Sequence, residues 1–196
     1  TSEVKAGNIE SLIILFEDAK TFGSLITVPE NIRQALPALG QLLDQPSSGD
    51  LLQRKMREHA VEALRPLEVQ ANMLGRQYDC VVANPPYMGS KGMNGIIKLF
   101  ASRNFSNSKS DLFAMFMEHA FKLLKPNGFN AQVNMQSWMF LSSYETLRKW
   151  VVNSKNILSM VHLGARAFGS ISGEVVQTTS WVIRNVKSGS YQPTFY

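Results

Sequence analysis

Two adjacent prolines, Pro85 and Pro86, constrain this chain most, because they end whatever strand precedes them. They follow residues 79–83, a short run rich in β-branched residues that is typical of a strand. Proline has no backbone N–H to donate to a sheet ladder, so the strand cannot continue past Asn84. The sequence therefore predicts a buried strand that stops at this point and is followed at once by Tyr87.

Beyond the prolines, the chain alternates between helical and strand patterns. Ser110 and Asp111 are predicted to cap a strongly amphipathic helix that runs to Leu124, and residues 126–128 end it. Further elements are predicted as a strand over 129–135, a helix over 144–152, and strands over 157–163 and 175–183. This order indicates an α/β layered sheet whose last two strands are antiparallel.

Residues 88–110 are rich in Gly, Ser, Asn and Lys, and they are predicted to form a mobile functional loop.

The first seventy or so residues are predicted to be mainly helical. Helical spacing of apolar residues is found over 9–20, 29–43 and 51–74, with a short strand at 24–28. Pro66 is expected to kink or divide the third helix. We therefore divide the chain into a helical segment, 1–75, and an α/β segment, 76–196.

The positive charge is concentrated in the later part of the chain. Residues 1–66 carry seven Lys or Arg and nine Asp or Glu, whereas residues 67–196 carry thirteen and six. This asymmetry fits a face that binds a polyanion such as nucleic acid, and it equally fits an ordinary soluble basic surface.

The sequence gives no sign of disulfides, metal or membrane. Cys80 is the single cysteine, which excludes an internal disulfide or a cysteine-rich zinc site and suits a reducing cytoplasm. His59, His119 and His162 lack metal-ligand spacing and are interpreted as structural. No apolar run approaches the length that spans a bilayer, so a soluble cytoplasmic protein is predicted.

The strand end at residues 84–87 has the chemistry to act on an aromatic amine. The exocyclic amine of adenine is a poor nucleophile because its lone pair is delocalised into the ring. The side-chain carbonyl of Asn84 and the backbone carbonyl of Pro85 can accept hydrogen bonds from its two N–H groups. Tyr87 offers a flat face for a flipped base. The plainer alternative is a simple turn after a strand.

The ordered series of motifs resembles the gamma-class N6-adenine DNA methyltransferases. Residues 78–87 look like motif IV of that family, and residues 111–128 look like motif V with its Lys-Pro-X-Gly exit. Residues 129–140 resemble motif VI, and residues 161–182 resemble motifs VII and VIII. The resemblance implies the C-terminal half of a Rossmann-like class I methyltransferase sheet, with the helical segment as an insertion or linker.

The resemblance also implies roles for particular residues. Asn84 and Pro85 would accept from the adenine amine, with Tyr87 on one face of the base and Phe168 on the other. The methyl donor, S-adenosylmethionine, would be approached by Pro86, Asp111 and Phe116. Alternatives stay open for three of these: Asp111 as a helix-start acid only, and Phe116 and Phe168 as core only.

Residues 15–26 resemble large phage-defence methyltransferases of the BREX (PglX-like) kind. The family's glycine-rich donor motif and its target-recognition domain are not found, so the chain is expected to be a fragment. By itself it is expected to bind the methyl donor weakly and to transfer little methyl. The implied partners are double-stranded DNA with a flipped adenine and, as further candidates, other defence-system subunits, but no membrane.

Two other functions remain open at this point. Related Asn-Pro-Pro-Tyr enzymes methylate RNA bases or a protein glutamine, so the acceptor could differ. The chain could also be an inactive methyltransferase-like module that binds nucleic acid through its basic half.

Overall fold

A computed structural model describes residues 6–164, 177–189 and 191–196. The chain divides into two compact units, Thr1–Arg76 and Gln77–Tyr196. None of the described helices is long and apolar enough to cross a membrane.

The first unit is helical, as predicted. Its core is a cluster of buried aliphatic side chains with one phenylalanine, including Leu12, Phe16, Ile32, Leu36 and Leu39. Its helices are α1 (Ala6–Leu15), α2 (Ala19–Phe22), α3 (Glu30–Asp44) and α4 (Leu51–Gly75), with a 3-10 turn at Gly23–Leu25.

One prediction for this unit was wrong, and of the two effects expected of Pro66, a kink stays a prediction. The strand expected at 24–28 is absent from the described sheet, because Gly23–Leu25 form a 3-10 turn and Ile26 and Val28 after it pack into the helical core. Pro66 does not divide the third predicted helix, since α4 runs through it without a break. A capping box between Asp50 and Gln53 starts this helix, and a proline removes only one of its many backbone hydrogen bonds.

The second unit is built on a mixed sheet in the order β1-β2-β4-β3-β5. β1 and β2 are parallel, while β4 is antiparallel to both of its neighbours, β2 and β3. The predicted α/β class and the antiparallel last pair are therefore confirmed. The strands are β1 (Tyr78–Ala83), β2 (Leu124–Met135), β3 (Asn156–Gly164), β4 (Thr178–Arg184) and β5 (Thr194–Phe195).

Helices cover one face of this sheet. The core of the unit joins helical residues such as Phe113, Met117 and Leu147 to strand residues such as Trp181 and Ile183. The helices are α5 (Gly95–Asn104), α6 (Leu112–Lys122), α7 (Ser137–Phe140) and α8 (Glu145–Ser154).

The segment 88–110, predicted to be a loop, contains helix α5. The side chain of Asn94 caps this helix by accepting from the backbone N–H of Ile97 at 2.9 Å. Ala101 and Phe105, both buried, anchor its C-terminal half. The glycines and serines that indicated a loop lie around the helix as well as inside it.

Strand β2 begins five residues before the predicted start at 129, and residues 125–128 form an irregularity near its beginning. Tyr78 pairs with Leu124, but Cys80 already pairs with Phe129. A Cβ on Gly128 would lie 3.0 Å from the backbone oxygen of Asp79, so this close approach requires glycine.

Along β2, polar side chains lie on the face that packs against the helices, and apolar side chains lie on the opposite face. Over residues 129–135, its buried residues are the amides Asn130, Gln132 and Asn134 on the side of α6, while Phe129 and the other odd-numbered positions are more exposed. On β1, Val82 is 76% exposed. The strand ending at the prolines exists, but the prediction that it is buried was wrong, because each of its six residues is exposed or only partly buried.

Candidate active site

The segment that follows β1 lies at the edge of the sheet where the parallel strands β1 and β2 both end. Ala83, the last residue of β1, pairs with Gln132. Asn84 and Pro86 are exposed, whereas Pro85 is buried. Among the described residues, none donates a hydrogen bond to the Asn84 side chain. The predicted acceptor is therefore turned outward at a strand end rather than into the core.

Tyr87 is half-buried and is held from two sides. Its hydroxyl donates to the backbone carbonyl of Val133 at 3.4 Å. Its ring meets that of Phe113 edge-on, with centroids 5.9 Å apart. Burial, with the nearby Asp111 carboxylate, raises the pKa of the Tyr87 hydroxyl, so this group stays a neutral donor at physiological pH. The ring therefore has a fixed position next to Asn84.

Asp111 joins the segment after Tyr87 to the start of helix α6. One carboxylate oxygen, Oδ1, accepts from the backbone N–H of Met88 at 3.0 Å and from that of Phe113 at 3.2 Å. The backbone N–H of Leu112 donates to the carbonyl of Met88 at 3.0 Å, as one of the two hydrogen bonds of an isolated bridge between Gly89 and Asp111. We call the three hydrogen bonds donated by Met88, Phe113 and Leu112 the Met88–Asp111 clamp.

Asp111 is 7% exposed as a residue, and burial raises the pKa of its carboxylate although the backbone hydrogen bonds act in the opposite direction. Tyr144 also packs against Phe113, with ring centroids 5.6 Å apart. Burial and the charge of Asp111 raise the pKa of Tyr144 to about 12. Asp111 is thus the helix-start acid of one alternative, and in addition it fixes the segment that carries Tyr87.

Buried amide side chains on β2 form a ladder of hydrogen bonds that is joined to helix α6. Asn130 donates to the carbonyl of Met117 at 3.2 Å, and Gln132 donates to Asn130 Oδ1 at 3.0 Å. Asn134 donates to Gln132 Oε1 at 3.2 Å. The ladder ties the sheet strand that holds the Tyr87 hydroxyl to the helix that begins at Asp111.

Of the two remaining aromatic residues predicted for the site, Phe116 and Phe168, the structure describes only Phe116. Phe116 is half-buried on α6, and its backbone carbonyl accepts from Gln132 at 3.5 Å. Phe168 lies outside the described residues. In the described part of the chain, no three His, Cys, Asp or Glu side chains are grouped as a metal site would require.

The sequence interpretation missed Met88, Phe113 and the β2 amides as supports of the site. Phe113 had a usable signal, since it stands two residues after the helix cap, where its N–H reaches the capping carboxylate. The amides had none, because alternation along a strand does not tell which face is buried.

Three comparisons place the chain among known proteins. A family model described as Eco57I restriction-modification methylase matches residues 13–168. The chain is 60% identical over 185 residues to the adenine-specific methyltransferase BrxX of Escherichia coli O9:H4 (strain HS), covering 94% of this chain and 15% of that protein. It is 38% identical over 196 residues to the adenine-specific methyltransferase PglX of Lacticaseibacillus casei (strain Zhang), covering 99% and 16%.

Among solved structures, one similar chain is described as a class I S-adenosylmethionine-dependent methyltransferase from Listeria monocytogenes. It is 11% identical, with a TM-score of 0.46, over 97% of this chain and 72% of that one. The chain spans about one sixth of the length of the curated relatives that it matches. The resemblance to PglX-like adenine methyltransferases is confirmed by these identities. Because the family model matches well over half of its residues, the chain belongs to the Eco57I restriction-modification methylase family.

Proposed function

We propose that this chain is the acceptor-binding part of a DNA methyltransferase that methylates N6 of adenine in phage defence or restriction-modification. The observation that carries the proposal is the placement of Asn84, exposed at the carboxyl end of β1 with its oxygen not engaged by any described residue. Ligands of open α/β sheets bind at this edge. The two relatives named above are adenine-specific methyltransferases, which supports the same reaction.

In the proposed reaction, the adenine is flipped out of the duplex and its amine lies against Asn84 and Pro85. The side-chain oxygen of Asn84 and the carbonyl of Pro85 each accept one N–H hydrogen bond, which lets the nitrogen become pyramidal. The nitrogen then forms a bond to the methyl carbon as the sulfur–carbon bond breaks, and one amine proton is released to solvent. Tyr87 stacks on one face of the base, and Phe168 is proposed for the other.

S-adenosylmethionine supplies an electrophilic methyl group when it is bound. On this chain, Pro86 and Phe116 fit the donor side, since Pro86 is exposed and the Phe116 ring is partly accessible. Asp111 fits that role only through Oδ2, because Oδ1 already accepts from Met88 and Phe113. These three residues contribute positioning, and the main donor site is proposed to lie on other parts of the full-length protein.

The proposal is tested by Asn84→Ala in the full-length gene product. Loss of one of the two aimed acceptors should lower the methylation rate by about a hundredfold or more. Asn153→Ala, which changes an exposed asparagine on α8, is the matched control and should keep the native rate. Methyl incorporation would be measured on genomic DNA, purified RNA and purified release factor. Full activity of Asn84→Ala, or transfer to RNA or protein instead of DNA, would refute the proposal.

A further inference from the structure

Residues 88–110 leave the candidate site and return to it at the same place. The Met88–Asp111 clamp holds both ends, and the backbone N–H of Ser90 adds a hydrogen bond to the carbonyl of Ser110 at 3.0 Å. The segment begins directly after Tyr87. We call residues 88–110 the basic arm, and its two ends lie next to the segment that carries Asn84 and Tyr87.

The arm carries four positive charges and no negative one. Lys91, Lys98, Arg103 and Lys109 are all exposed, and the segment contains no Asp or Glu. Within the described residues, none of the four forms an ion pair, although Lys125 and Lys149 elsewhere in this unit do. Four unpaired cations in one short segment repel one another, and this repulsion is relieved when a polyanion binds.

The charges stand on an ordered support. Helix α5 is capped by Asn94, and Met93, Ala101 and Phe105 are buried beneath the arm. The acidic residues of the following helix do not neutralise the charges of the arm at the surface. Glu118 is buried and accepts a hydrogen bond from the hydroxyl of Ser108 at 2.6 Å, and the carboxylate of Asp111 is engaged in the clamp. The positive field of the arm is therefore directed toward solvent.

We propose that the basic arm binds the phosphate backbone of duplex DNA beside the target adenine. This inference rests on the proposed function and names the part of the chain that holds the substrate near Asn84. Phosphate contacts fix the register of a protein on DNA and carry no sequence information. The arm thus places the duplex, while Asn84 and Tyr87 act on one base.

The test compares two double variants of the full-length gene product on a fluorescein-labelled DNA duplex. Lys98→Gln with Arg103→Gln removes two charges from α5. Lys20→Gln with Lys55→Gln removes two exposed charges from the first unit and is the control. The dissociation constant would be measured at several salt concentrations, and each lost phosphate contact should reduce the slope of log K against log salt by about 0.9.

The arm variant is expected to lose about two units of slope and to bind at least about tenfold more weakly at low salt. The control should keep the native slope. An unchanged slope in the arm variant would overturn the proposal, even if binding is weaker. Weaker binding at an unchanged slope would mean that the substitutions disturb the fold and do not remove phosphate contacts. If thermal melting shows that the α5 variant is unfolded, Lys91→Gln with Lys109→Gln provides the same test from the base of the arm.

Measuring methyl transfer on the same proteins separates a failure of the basic arm from a failure of the proposed function. If the native protein methylates DNA and the arm variant keeps the native slope, only the proposal for the basic arm is wrong. If the native protein neither binds nor methylates DNA, the proposed function itself is wrong. Strong binding to an acidic protein in place of DNA would assign the arm to a different partner and likewise overturn the proposal.

Discussion

The buried carboxylate of Asp111 holds two chain segments together as well as capping helix α6. An amide or a hydroxyl could also cap α6, but a single carboxylate oxygen here serves two N–H donors that belong to different segments. Burial works against the charge, and the raised pKa of Asp111 shows that the hydrogen bonds do not fully compensate. The free energy of unfolding should therefore change with pH as Asp111 ionises.

The unfolded chain releases the Asp111 proton near its ordinary value of 3.8, and the folded chain releases it at a higher pH. Between these two values the folded state holds the additional proton, so the contribution of Asp111 to the free energy of unfolding falls as pH rises. Asp111→Asn keeps an acceptor for both N–H groups and cannot ionise. The native chain should therefore lose stability relative to Asp111→Asn as pH rises above 3.8, with a constant difference above the folded-state pKa.

Urea unfolding followed by tryptophan fluorescence measures this difference, since Trp138, Trp150 and Trp181 all lie in the second unit. A difference that does not change with pH would contradict the prediction.

At the scale of single elements, β2 shows that a buried face need not be the apolar one. Its helix-covered side carries three amides that bond to one another and to α6, and the ladder ends at Asn134 Oδ1, which has no partner among the described residues. Buried amides are stable only when their hydrogen bonds are made together. The ladder should therefore respond to mutation as one unit.

Gln132→Leu should lower the free energy of unfolding by about 2–4 kcal/mol, because it strands a buried acceptor on Asn130 and a buried donor on Asn134. Replacing all three amides by apolar residues of similar size removes donors and acceptors at once. That triple variant should cost less than the sum of the three single changes. Additive losses, or a loss for Gln132→Leu below about 0.5 kcal/mol, would argue against a coupled ladder.

The elements that the sequence predicted correctly are those with strong local signals. The capped amphipathic helix after Asp111 and the strand ended by Pro85 were both found from nearest neighbours alone. Helix α5 was missed because the segment 88–110 as a whole is rich in glycine, serine and asparagine, although the helix itself is mainly apolar and begins after the capping residue Asn94. The burial of Ala101 and Phe105, which anchors this short helix, depends on tertiary contacts.

The candidate site was predictable to a similar degree. Asn84 and Tyr87 follow from the motif and the strand end, and the structure places them as an exposed amide beside a fixed ring. The clamp that fixes the loop was not predictable, because it joins Met88 to Asp111 across 23 positions of sequence. The roles of these residues in catalysis stay predictions.

For the second unit as a whole, the apolar outer face of the sheet is its most unusual property. Val82 is 76% exposed and Phe129 is 39% exposed, with the free thiol of Cys80 beside them. Sheets with parallel strands are normally covered on both faces. An apolar sheet surface in water favours self-association.

Val82→Thr should therefore reduce self-association of this polypeptide in reducing buffer, because threonine keeps the preference for a strand and lowers the apolar area. Ile14→Thr makes the same change at an exposed helical position of the first unit, where Ile14 is 61% exposed, and it should have a smaller effect. Light scattering at increasing protein concentration measures both. Equal effects would show that the sheet face has no special role.

The Met88–Asp111 clamp separates the surface of the basic arm from the geometry at Asn84. Because both ends of the arm are fastened at one point, a substitution at an exposed position of α5 changes the charge that the arm presents to a duplex without moving the strand end. Related proteins can therefore differ in the charges of this arm while the neighbouring motif keeps its shape.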